Sequence, residues 1–86
     1  MKHVKTSAGF EADIDEAVFN DMELFDAIVE LDQGNSLALS RVTEKILGKN
    51  KAGLYEALRN ENGRVPVNAV SEQIREIMLQ VGEKNS

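Results

Sequence analysis

Residues 9–32 read GFEADIDEAVFNDMELFDAIVELD, and a change of period inside this stretch decides the fold. Phe10, Ala12 and Ile14 alternate with Glu11, Asp13 and Asp15. A repeat of two puts one face of a strand against a core and the other in water. Upstream, Val4-Lys5-Thr6 is separated from this run by Ser7-Ala8-Gly9. Glycine supplies the positive φ that a short hairpin turn favours, so a two-stranded hairpin over about residues 3–15 is expected. An isolated hairpin is marginal in water, so it must rest on helices or on another chain.

From Asp21 the spacing lengthens to three and four. Asn20 or Asp21 can cap a helix running to Gln33, and Asn20 with Glu23 has capping-box spacing. Gly34 ends it. Ser36 can cap a second helix running to Leu47 and stopped by Gly48, with Leu39, Val42 and Ile46 on one stripe. A short third helix is expected from Lys51 to Asn60, burying Leu54, Tyr55 and Leu58, before the Asn62-Gly63 turn. Val65-Pro66-Val67 opens the last helix, because proline suits a first turn whose N–H groups are unpaired anyway. Val67, Val70, Ile74, Ile77, Met78 and Val81 then recur at helical steps as far as Gly82. The expected class is α+β, mostly helical: an N-terminal β-hairpin followed by about four short helices. The 86 residues make a single domain, with a helical part over 16–82 and a frayed tail at 83–86.

The charge is uneven. Residues 6–40 carry nine acids and no base, whereas 41–64 carry six bases and three acids, within a net charge of −5. The acidic half repels a phosphate backbone. Arg41, Lys45, Lys49, Lys51, Arg59 and Arg64 are dispersed among acids rather than clustered, so they read as a solvated surface and not as a nucleic-acid footprint. No run approaches the ~18 apolar residues of a membrane span, and the N-terminus has no secretory pattern. With no cysteine there are no disulfides or thiolate sites, which fits a reducing cytoplasm.

No catalytic, cofactor or metal site is expected. The single histidine, His3, reads as a strand-face side chain with nothing to orient its ring. Asp13, Asp15 and Glu16 suggest a calcium loop, but the fifth and sixth positions from Asp13 are Ala17 and Val18, where a ligand and a glycine are needed. Ser7, Ser36, Ser40 and Ser71 have no histidine partner, and the glycines are too scattered to cradle a phosphate.

The helix from Asp21 to Asp32 is the exception to this plainness. At about 100° per residue, Glu23, Asp26 and Glu30 share one narrow strip, and Met22, Leu24, Phe25, Ala27, Ile28, Val29 and Leu31 fill most of the remainder. One core needs an apolar stripe little wider than ~100°, and this one is about twice that. Either neighbouring helices pack it on two sides, or part of it meets another protein. The candidates for such a contact are Leu24, Phe25, Val29 and Leu31, or part of the last helix.

Across residues 5–80 the chain resembles the small tail assembly chaperones of long-tailed phages and prophages. The likeness is carried by Gly9-Phe10-Glu11-Ala12-Asp13-Ile14-Asp15-Glu16, Asp21-Met22-Glu23-Leu24-Phe25-Asp26, Leu37-Ala38-Leu39 and Ile46-Leu47-Gly48. Its most distinctive part is Leu54-Tyr55-Glu56-Ala57-Leu58-Arg59-Asn60-Glu61-Asn62-Gly63-Arg64-Val65-Pro66-Val67, followed by Val70 and Ile74. The family often has proline where this chain has Ser40. The resemblance implies a non-enzymatic protein of the host cytoplasm, left out of the mature virion. Such a protein holds the tape measure protein and recruits tail tube subunits, and a homo-oligomer is compatible with that role. The resemblance also implies a frameshifted longer form, for which Glu83-Lys84-Asn85 permits a slippery codon run. A rival expectation is an acidic regulatory or DNA-mimicking binding protein of a mobile element, motivated by the acids of residues 11–32. A third is a virion structural subunit.

Overall fold

A computed structural model describes residues 1–82; the expected frayed tail and the codon run at 83–85 lie outside them. Strands β1 (Lys2–Lys5) and β2 (Glu11–Ile14) pair antiparallel, with His3 opposite Asp13 and Lys5 opposite Glu11. The turn closes through Thr6 N–H to Phe10 O at 2.9 Å, and Gly9 adopts φ +85°. Val4, Phe10 and Ile14 are buried while His3, Lys5, Glu11 and Asp13 face solvent, as the period-two pattern requires. A 3-10 turn at Glu16–Phe19 follows, its first turn capped by Asp15 Oδ1, which accepts from Ala17 N–H at 2.9 Å.

Four helices complete the chain: α1 (Met22–Asp32), α2 (Ala38–Leu47), α3 (Lys51–Leu58) and α4 (Val67–Gly82), with a 3-10 turn at Gly48–Asn50 before α3. The class is therefore α+β and mostly helical, as expected. Asp21 is the cap of α1, its Oδ1 accepting from Glu23 N–H at 2.9 Å. The end of α1 is a Schellman turn: Asn35 N–H reaches Glu30 O at 3.0 Å and Gly34 N–H reaches Leu31 O at 3.1 Å, with Gly34 at φ +100°. Two boundaries differ from expectation. Ser36 does not cap α2; Asn35 Oδ1 accepts from Leu37 N–H at 3.2 Å, and α2 begins at Ala38. The third helix stops at Leu58 because Asn60 turns the chain, its Oδ1 accepting from both Asn62 N–H (3.0 Å) and Arg64 N–H (3.1 Å).

Both strands and all four helices contribute to one core, from Val4 and Ile14 of the hairpin through Leu24, Val42 and Leu54 to Ile74 and Ile77 of α4. Thr43, with no solvent exposure, donates to Leu39 O at 2.8 Å, so its hydroxyl is not left unsatisfied. The hairpin is moored to α4 by polar side chains. Gln80 Nε2 donates to Lys5 O at 2.8 Å and its Oε1 accepts from Lys5 N–H at 3.2 Å. Glu76 accepts from Ser7 N–H at 2.8 Å and from Ser7 Oγ at 2.5 Å. Lys5 is an outward-facing residue of β1, so the Gln80 amide occupies a ladder position that another strand would use.

His3 corrects one expectation. Its Nδ1 lies 2.9 Å from Asp13 Oδ1 and its Nε2 3.0 Å from Glu11 Oε1. Carboxylates only accept, so the ring satisfies both as a cation, and its pKa rises above the ordinary 6.5, chiefly through the bond to Asp13. The proton bound in the fold is held more weakly in the unfolded chain. The clamp thus stabilises the fold fully below pH 6.5 and loses that effect as the pH rises through the higher folded value. Thermal unfolding compared at about pH 5.5 and about pH 8.5 will show a larger drop in midpoint for the wild type than for His3→Gln. An NMR titration of the ring will place its pKa above 6.5.

Candidate functional site

Helix α1 divides its apolar arc unequally. Leu24 is 1 % exposed and Ala27 is fully buried, so Leu24 belongs to the core and has no surface to offer a partner. Leu31 and Ile28 are half-buried. Phe25 is 56 % exposed, Met22 65 % and Val29 38 %. These three lie at i, i+3 and i+7 and form one outward stripe. The wide arc therefore serves two purposes: one side fills the interior and the other is surplus to it.

The division follows from where the neighbours pack. Helix α2 approaches the acidic side of α1, and its bases neutralise most of the strip. Lys45 Nζ contacts Glu23 Oε1 at 2.9 Å and Asp21 Oδ2 at 3.2 Å, and Arg41 reaches Glu30 Oε2 at 3.1 Å. The Lys45 ammonium also holds the Asp21 carboxyl below its usual range. Among the described residues Asp26 and Asp32 form no ion pair. At about 100° per residue they flank the Phe25–Val29 stripe, one on each side.

Along the other border of the stripe runs a groove between α1 and α4, of about 280 Å³. Ile28, Leu31 and Asp32 line one wall, and Ile74, Arg75 and Met78 line the other. Of the four residues expected to meet a partner, Phe25 and Val29 are thus on the open face and Leu31 is in the groove beside it. Sequence reasoning offered part of the last helix as an alternative contact but did not single out the residues that form this wall. Met78 and Ile74 carry the same periodicity as the rest of that helix's core face, so no local signal separates them.

A second apolar hollow, about 290 Å³, lies between the start of α2, Tyr55 of α3 and the start of α4. Leu37 and Val67, 85 % and 66 % exposed, stand on its rim. Neither groove gathers the residues of an acid–base pair or an activated nucleophile. Among the described residues no three His, Asp or Glu side chains are placed to hold a metal ion, and no helix is long and apolar enough to cross a membrane. No protein-family model, curated protein or solved structure matches the chain.

Proposed function

We propose that this protein is a non-catalytic assembly chaperone for a phage tail, which binds the tape measure protein in the host cytoplasm and helps recruit tail tube subunits. The observation that carries the proposal is the outward apolar stripe of Met22, Phe25 and Val29 on a small acidic domain. A tape measure presents long apolar helical surface before the tube encloses it. A domain with spare apolar surface shields such a client, and a net charge of −5 keeps the complex dissolved. Weak contacts repeated along a fibre give avidity while leaving each copy displaceable by the tube. The DNA-mimicking alternative draws less support, because Glu23 and Glu30 are already engaged by Lys45 and Arg41.

The test is co-expression with the long helical open reading frame of the same gene cluster, followed by affinity purification. The tape measure will co-purify with the wild type. Phe25→Asp, at an exposed position, will fold normally and bind at least about tenfold more weakly, as loss of an aromatic anchor generally does. Undiminished capture by a folded Phe25→Asp protein would reject this face. A cluster with no tail tube gene upstream and no long helical frame downstream would reject the assignment altogether.

A further inference from the structure

The groove between α1 and α4 has a built-in asymmetry that specifies more than apolarity. The wall from α1 ends in Asp32, with Asp26 beyond the exposed stripe, whereas the wall from α4 carries Arg75. Among the described residues none of the three forms an ion pair. Ile28, Leu31 and Met78 offer its apolar surface, with Ser71 beside them and Ile74 buried beneath, and Phe25 stands exposed on the neighbouring stripe.

We infer that this groove receives a single amphipathic α-helix whose apolar stripe is bordered by lysine or arginine on the side that meets α1. The inference rests on the chaperone proposal and names the chemistry of its client. Both walls are helices whose backbone groups are paired internally. An extended peptide laid between them would find no ladder for its N–H and C=O groups, whereas a helix satisfies its own. The longer wall, from α4, runs from Ser71 to Met78, about 11 Å, matching two turns of an occupant. Charge then selects its rotation. A basic flank faces Asp32, and an acidic or neutral flank faces Arg75. A second copy docked α1 against α1 would oppose carboxylate to carboxylate, so it is not the occupant this face selects.

The experiment uses the full chain and two synthetic helical peptides with the same leucine stripe, one flanked by lysine and the other by glutamate. Binding is read by fluorescence anisotropy at low and high salt. The lysine peptide will bind at least about tenfold tighter than the glutamate peptide at low salt, and the preference will shrink as salt rises. Asp26→Asn with Asp32→Asn will abolish the preference, and Phe25→Ser will weaken both peptides. Leu37→Ser, in the other hollow, will change neither. All these positions are exposed, and circular dichroism verifies that each variant folds. Equal binding of the two peptides, or a preference that survives the double asparagine variant, overturns the inference. So does a concentration-dependent dimer that Phe25→Ser dissociates, because a second copy then covers the face. Preference for the lysine peptide without capture of the tape measure sinks the chaperone proposal alone. Capture through Phe25 with no peptide preference sinks only the inference about charge.

Discussion

Ile77→Ala lowers the free energy of unfolding by about 2–5 kcal/mol, the range for deleting a buried branched side chain and leaving a cavity behind it. Ile77 has no solvent exposure and sits on the buried face of α4, which also carries Val70, Ile74 and Val81. The loss is large relative to the whole. Domains are typically stable by about 5–15 kcal/mol, and a chain this short belongs near the lower end. Chemical denaturation monitored by circular dichroism will therefore show the midpoint falling steeply, or no folded baseline at all. Val67→Ala provides the contrast. It removes a side chain that is 66 % exposed on the same helix, and surface changes of this kind stay within about 0.5 kcal/mol. Equal effects of the two substitutions would mean that α4 is not packed as described.

Gly48→Ala is expected to destabilise by about 1–3 kcal/mol, for a reason that contacts do not reveal. Gly48 ends α2 with φ +51° and ψ −121°, a combination in which a Cβ strains the backbone. Open space surrounds the position, with no atom beyond its own chain neighbours within 4 Å of where the Cβ would stand. The effect is therefore conformational and not steric crowding by neighbours. Gly53 supplies the opposite sign. It lies inside α3, and a Cβ there would meet Phe10 Cε1 at 3.5 Å, an ordinary contact. Gly53→Ala should stabilise by about 0.5–1 kcal/mol, because the unfolded chain loses freedom and the helix gains a better former. Thermal midpoints of the two variants will move in opposite directions from the wild type. A Gly48→Ala protein as stable as the wild type would show that the turn relaxes into an ordinary C-cap.

The local grammar of this chain was legible because several signals agreed. Alternation over Phe10–Ile14 predicted the strand, and the shift to helical spacing after Asp21 predicted α1 together with its cap. Gly34 and Gly48 marked the ends of α1 and α2, and the run from Val70 to Val81 marked α4. Ser36 is a good cap by composition, but α2 starts one residue later than it could serve, with Leu37 at the cap position and Asn35 Oδ1 bonding the turn just before it. The candidate site was half legible. Periodicity gave the width of the apolar arc on α1, but width does not say from which side neighbours arrive. Lys45 and Arg41 draw α2 onto the acidic side. That choice sends Leu24 inward, leaves Phe25 and Val29 outward, and places Leu31 at a groove. Nothing within one helix encodes it. The His3 clamp is invisible in either strand alone, because only the cross-strand register brings Glu11 and Asp13 onto the same face as His3.

The amide of Gln80 grips the backbone of Lys5 across 75 positions of sequence, and this joins β1 to α4. As the chain leaves the ribosome, the hairpin emerges before α4 and has neither its apolar support nor its edge cover until that helix has been made. At about 5–20 residues per second that interval lasts several seconds. Throughout it the strand edge is open to neighbouring nascent chains on the same message. Covering that edge is therefore a late step, completed only when Gln80 arrives with α4.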